Sequence, residues 1–212
     1  MNILAISAHL DDLELGCYNT IKMHLDKGDN VYVHIMTNSV YGVSLTGHSR
    51  NHKNVAEEAQ RIYSDLGIDY EIEDTIYPLS LDDEYKLRNS LIQKLEQKTI
   101  EKKINRVYYH TEFDLNTDHT CTNQICRVAF RNIIEQFEYA SNWYGSEKFI
   151  PNVYHFYNES ELNNKLDILK IFKSEYGYRN NRWKSEIVGR ESNWGQRFGK
   201  EYAEGFIGRI TI

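Results

Sequence analysis

Asn2-Ile3-Leu4-Ala5-Ile6-Ser7-Ala8-His9-Leu10-Asp11-Asp12-Leu13-Glu14 is the stretch on which the reading of this chain turns. Its first half is a short apolar run of the kind that fills a buried strand, and its second half crowds an imidazole and three carboxylates into six residues. Like charges this close repel one another, and a strand end is a costly place to gather them unless a cation, a proton or solvent compensates. A divalent metal compensates best. His9 and one aspartate offer the nitrogen and oxygen donors that zinc accepts, and a second aspartate remains available as a base.

Working outward, apolar positions Leu15, Ile21, Met23 and Leu25 predict a helix over 14–27 closed by Gly28. A β-prone run predicts a strand over 31–36, and the glycines of 37–49 predict a loop. A helix over 54–66 ending at Gly67, a strand over 70–76, a helix over 81–103 and a strand over 104–110 follow. Beyond them the patterns predict a helix over 121–139, an irregular aromatic stretch to 149, a strand over 151–157 and a helix over 162–176, then a glycine-punctuated segment over 189–212. Short apolar strands alternating with amphipathic helices are the pattern of an α/β fold with a mainly parallel sheet. Such sheets gather ligands at the carboxyl ends of their strands. Both acidic and histidine-rich segments, 9–14 and 110–119, fall at such ends and point to one shared site.

The chain has 212 residues, long enough for one well-buried core, and is expected to form a single domain over 1–212. Its 41% hydrophobic and 26% charged residues are those of a folded protein, with 16 tyrosines and only two prolines as the departures. A net charge of -6 argues against nucleic acid as the main partner and favours a small-molecule substrate. Cys17, Cys121 and Cys126 are odd in number and form no Cys-x-x-Cys pair, so reduced thiols are expected. With neither a secretory leader nor an apolar run of roughly 18 residues, the expectation is a cytoplasmic protein without an integral membrane segment. A homo-oligomer is compatible with the sequence.

The second cluster is Asp114-Leu115-Asn116-Thr117-Asp118-His119. A catalytic zinc set needs mixed donors with one position open, and His9, Asp12 and His119 can supply it from two loops. At this point the chain resembles the zinc-dependent de-N-acetylases of the LmbE-like or PIG-L type, whose signature Ala-His-Pro-Asp-Asp-x-Glu is matched by Ala8-His9-Leu10-Asp11-Asp12-Leu13-Glu14. That family's His-Pro-Asp-His motif resembles Asn116-Thr117-Asp118-His119, and 199–206 resembles a Tyr-Ala-Glu-x-Phe segment near its C-terminus. The resemblance implies a Rossmann-like three-layer fold, zinc ligands His9, Asp12 and His119, and Asp11 as general base. It further implies hydrolysis of an N-acetyl group on an N-acetylglucosamine-type amino sugar or its conjugate. Glu14, His110, Asp114 and Asp118 are candidates for supporting or substrate roles. Iron(II) can occupy similar donor sets.

Three departures from the family pattern stand out. Leu10 replaces proline. Asn116 replaces the first histidine of the second motif; its amide can donate to an oxyanion but cannot deliver a proton. In the 54–66 helix Val55 takes the place of the arginine of Arg-x-x-Glu, while Glu58 and Ala59 match, and Arg50 is the nearby candidate replacement.

Blander roles exist for the same residues. Asp11, Asp12 and Glu14 could simply favour the positive end of the following helix, and Thr117 or Asp118 could cap the next one. Asn116 suits a turn. Cys17 suits packing and Glu204 a structural ion pair; the aromatics of 137–149 suit a core or oligomer interface, with a sugar platform as the alternative, and His48 and His52 suit an exposed loop, with the border of the active site as the alternative. Other functions compatible with the residues are an amidase acting on another acylated amine or thiol conjugate and a metal-binding, non-catalytic module. A nucleotide-binding or receiver module lacks its own motifs here.

Overall fold

In the computed structural model, which describes residues 1–43, 48–75, 84–142 and 146–210, the apolar run forms β1 (Asn2–Ser7) at the centre of the sheet. Alternate β1 side chains face opposite layers: Ile3 and Ala5 join one apolar core, Leu4 and Ile6 another. Both faces of the strand are therefore buried, which is why it reads as a continuous apolar run.

Around β1 the chain adds α1 (Asp12–Asp26), β2 (Asn30–Ile35), a hairpin of β3 (Tyr41–Val43) and β4 (His48–Arg50), and α2 (His52–Ala59), which continues into a π-helical turn over Gln60–Ser64. Next come β5 (Asp69–Ile72), α3 (Glu84–Glu101), β6 (Arg106–His110), α4 (Thr117–Ala129) and β7 (Glu135–Tyr139). The last elements are β8 (Val153–Tyr157), α5 (Glu159–Leu169), α6 (Lys173–Gln196) and β9 (Tyr202–Ile210). The main sheet has the order β5-β2-β1-β6-β7-β9-β8; β1 pairs in parallel with β2 and β6, and β9 runs antiparallel to both β7 and β8. Helices α3 and α4 cover one face, while α1, α5 and α6 pack on the other.

The chain winds outward from β1 through β2 to β5 and then returns to β6 on the other side of β1. This reversal opens a crevice between the carboxyl ends of β1 and β6, the place where open α/β sheets bind ligands.

The α/β, mainly parallel expectation is met, but several element boundaries differ. The helix expected over 121–139 stops at Ala129, and Glu135–Tyr139 is a strand. Its buried face carries Gln136 and Glu138, which obscures the apolar alternation of a strand; Gln136 accepts from the Tyr109 hydroxyl at 2.9 Å, and Glu138 pairs with Arg209 of β9. The helix expected over 162–176 is two helices, broken at Phe172. The 189–212 segment completes α6 and supplies β9, so of its glycines Gly199, with φ 67°, marks the turn between them, while Gly195 serves close packing: a Cβ there would meet the Tyr202 backbone at 2.7 Å. The 37–49 loop contains a hairpin, while 44–47 lie outside the described residues. Ile76, 81–83, Trp143 and Tyr144 also lie outside them.

Candidate active site

The turn from β1 into α1 places the first cluster. Asp11 caps α1 with φ 131°, a backbone region that disfavours side chains, and such strain costs about 1–3 kcal/mol unless its surroundings enforce it. The neighbours do so here. Leu10 N–H donates to Ser39 Oγ at 2.9 Å, Leu10 C=O accepts from Arg50 Nη1 at 2.8 Å, and Thr37 Oγ1 donates to Ala8 C=O at 2.9 Å. The leucine that stands where the resemblance expects proline therefore contributes an N–H that proline lacks. Gly16 lets α1 approach β7 closely, since a Cβ there would lie 2.4 Å from the Tyr139 ring.

The second cluster sits beyond β6. Asn116 caps α4, its Oδ1 accepting from Asp118 N–H at 2.9 Å while its own N–H donates to Asp114 Oδ1 at 2.8 Å. The turn role and a position among the residues that line the cavity coexist in Asn116.

His9, Asp12 and His119 converge from these two loops. His9 Nδ1 lies 3.2 Å from Asp12 Oδ2, His119 Nε2 lies 3.2 Å from Asp12 Oδ1, and the two ring nitrogens are 3.3 Å apart. The opposite edge of each ring is held by a carboxylate, Asp118 Oδ2 at 3.1 Å from His9 Nε2 and Asp114 Oδ2 at 2.8 Å from His119 Nδ1. Carboxylates behind imidazoles fix ring orientation and tautomer in metal centres. Tetrahedral zinc with ligands at 2.0–2.1 Å needs donors about 3.3–3.4 Å apart, close to the separations here, so the donor set fits such an ion.

Charge balance makes the same point. Burial disfavours the charged form of His9 and His119, yet Asp118 and Asp12 raise His9 to about 9, and Asp12 and Asp114 raise His119 to about 10. Burial also opposes ionisation of Asp12, but the charge on His119 pulls it well below the usual carboxylate range. The protein thus holds positive charge around Asp12 with protons where a divalent cation could serve.

Asp11 points to different partners. Its Oδ2 lies 3.3 Å from Arg50 Nη2, which is 3.2 Å from Glu58 Oε2, and Ser174 ties Arg50 to Glu58 through bonds of 2.9 and 3.0 Å. Burial pushes Asp11 up to about 8 against the pull of Arg50. Arg50 reaches from β4 to Glu58 of α2, the acid of the Arg-x-x-Glu pattern that lacks its arginine at Val55.

His110 is fully buried, and its Nε2 accepts from Ala8 N–H at 3.1 Å while lying 3.3 Å from Asp12 Oδ2 and 3.4 Å from the Tyr139 hydroxyl. Burial holds it near 4, so it is a neutral ring behind Asp12 rather than a donor reaching the cavity. Glu14 lines a separate small cavity with Leu13, Tyr18 and Tyr63, away from the His9–His119 cluster. Burial pushes Glu14 up to about 7.

The cavity above this cluster, about 320 Å³, is floored by His9, Asp11, Asp12, Asn116 and His119. Its opposite wall is α6, through Glu175, Arg179, Arg182, Trp183 and Glu186, none of which the sequence reading singled out. The available signal was the i,i+4 charge spacing: Arg179 Nε meets Glu175 Oε2 at 2.8 Å and Arg182 Nε meets Glu186 Oε1 at 2.7 Å. His48 is partly buried rather than exposed, 2.7 Å from the Tyr41 hydroxyl and stacked on Tyr178. His52 is exposed.

Glu204 proves structural. Its carboxylate accepts from the N–H groups of Asn19 and Thr20 at 2.9 and 2.8 Å and pairs with buried Lys165 at 2.8 Å, tying β9 and α5 to α1. Cys17 is buried in the core, as are Tyr139 and Phe149.

Comparison with known proteins adds the following. The family described as PIG-L, GlcNAc-PI de-N-acetylase, matches residues 4–130. The uncharacterized deacetylase YaiS of Escherichia coli (strain K12) is 32% identical over 178 residues, which cover 81% of this chain and 90% of that protein. Among solved structures, N,N'-diacetylchitobiose deacetylase from Pyrococcus horikoshii has a TM-score of 0.75 at 17% identity, over 99% of this chain and 84% of that one. GalB, the 4-carboxy-2-hydroxymuconate hydratase of Pseudomonas putida KT2440, has a TM-score of 0.78 at 17% identity, over 100% and 98%. A deacetylase and a hydratase share this fold, so the fold alone leaves the reaction open.

Proposed function

The chain belongs to the PIG-L family of de-N-acetylases, and from that premise we propose that it is a metal-dependent hydrolase removing the N-acetyl group from an N-acetylglucosamine-type amino sugar or its conjugate. The observation that carries the metal assignment is the triangle of His9 Nδ1, His119 Nε2 and the Asp12 carboxylate, with sides of 3.2, 3.2 and 3.3 Å. These residues would hold zinc, or iron(II), with Asp114 and Asp118 fixing the two rings. When bound, the ion supplies Lewis-acid polarisation of the acetamide carbonyl and lowers the pKa of water toward about 7.

The rest of the chemistry belongs to the chain. Asp11, held by Arg50 and raised by burial, takes the proton of the attacking water as the new C–O bond forms. It returns that proton to the nitrogen as the C–N bond breaks, so acetate and a free amine leave. Asn116, which lines the cavity, would donate its amide N–H to the developing oxyanion, in the role for which the resemblance gives the family a histidine. No helix of the described residues is long and apolar enough to cross a membrane. The reading is of a single catalytic domain in the cytoplasm, where Cys17, Cys121 and Cys126 stay free.

The test is acetate release from N-acetylglucosamine conjugates by protein stripped of metal with a chelator and then reloaded with zinc or iron(II). Activity lost on stripping and restored on reloading is the expected result. Turnover that persists in metal-free protein would contradict the assignment, and turnover on another acylated amine alone would favour the amidase reading.

A further inference from the structure

Glu175 enters the cavity from the first turn of α6, beyond the residues that match the family. It is only 2% exposed. One oxygen, Oε2, is engaged by Arg179 at 2.8 Å. The other, Oε1, has no hydrogen-bond donor among the described residues; it lies 3.5 Å from His48 Nε2, a nitrogen already 2.7 Å from the Tyr41 hydroxyl. A buried carboxylate oxygen left without a donor is expensive, and such an atom on a cavity wall is satisfied when a ligand brings the donor.

The surrounding charges define that donor. Each arginine lining the cavity is matched to a carboxylate: Arg50 to Asp11 and Glu58, Arg179 to Glu175, and Arg182 to Glu186. Arg179 already balances the charge of Glu175, so Oε1 calls for a hydrogen bond rather than for a second cation. An anionic ligand, in turn, would have to compete with these carboxylates for the charge of the same guanidinium groups.

We propose that Glu175 Oε1 receives a substrate hydroxyl, which makes Glu175 a specificity-determining residue and the substrate a neutral, hydroxyl-bearing acetamide rather than an anionic conjugate. This rests on the N-deacetylase reading of the cavity floor.

The experiment compares methyl N-acetyl-β-glucosaminide, its 6-phosphate and N-acetylcyclohexylamine, an acetamide without hydroxyls, on zinc-loaded wild type, Glu175→Ala and Glu175→Gln. Metal content is measured on each. Glu175→Ala is expected to lower kcat/KM on the glycoside by about tenfold to a hundredfold. That loss should exceed the loss on N-acetylcyclohexylamine at least tenfold, with Glu175→Gln intermediate and the phosphate giving no gain. Equal losses on the two neutral amides, no loss on either, or a tenfold preference for the phosphate would overturn the assignment. Calorimetric binding of the glycoside to wild type and Glu175→Ala judges it independently of turnover. Unchanged affinity contradicts the hydroxyl contact, whereas weakened binding without acetate release from any substrate would support Glu175 and overturn only the deacetylase reading.

Discussion

The floor and the wall of the cavity use charge in opposite ways. On the floor, carboxylates hold the back edges of His9 and His119 and turn the remaining nitrogens toward Asp12, leaving donor atoms converging on one point. On the wall, each glutamate is matched to an arginine four residues away, so the pairs neutralise themselves. The floor calls for a cation, while the wall calls for a polar, neutral ligand. On the proposed reading, reaction chemistry is concentrated in two loops at the switch point, and selection of the substrate falls to a helix that belongs to a different part of the chain.

Substitutions separate the two regions. The largest effect is expected for His119→Ala, which removes a candidate ligand: bound metal should fall below one ion per several chains and turnover by about a thousandfold or more, a loss of the order of removing an essential catalytic group. Retained metal and activity would remove His119 from the floor. Next is Lys165→Met, far from the cavity. It removes the cation paired with fully buried Glu204 and one of the two paired with Glu191, which keeps Arg190, and leaving a buried charge uncompensated costs about 3–5 kcal/mol. Denaturant unfolding should show that loss while metal affinity of the folded protein stays near wild type. A variant as stable as wild type would mean that the clamp on α1 is idle.

Asp114→Asn tests the support behind His119. Loss of a carboxylate behind a ligating histidine weakens metal affinity about tenfold to a hundredfold, which competition with a chromophoric chelator would read. The smallest effect is expected for Arg50→Lys. Lysine cannot span Asp11, Glu58, Ser174 and Leu10 C=O together, so kcat should fall about tenfold with metal content intact. An unchanged kcat would show that Asp11 is held without the guanidinium.

The contrast also explains what the sequence disclosed. The floor was legible because its residues lie in two short segments, each directly after a strand, and the switch point brings segments at such ends together. The supporting roles of Asp114 and Asp118 were narrowed to candidates by their nearness to His119, but which ring each would hold depends on the register of β1 and β6. Arg50 was named only by proximity to the pattern missing at Val55; its reach across from β4 depends on a hairpin that reads as a loop. The wall was silent because Glu175, Arg179, Arg182 and Glu186 look like solvent-facing i,i+4 pairs, and nothing local says that this face of α6 turns inward. Strand β7 was misread for a related reason: its buried residues Gln136 and Glu138 are polar, and their partners Tyr109 and Arg209 lie far away in sequence.

Asp11→Asn, prepared with zinc and assayed for acetate release beside the wild type, tests the division of labour on the floor most directly. The account predicts one metal ion bound as in the wild type and kcat lower by about a hundredfold to ten-thousandfold, the usual worth of a positioned acid–base group. Undiminished turnover with metal in place would contradict it.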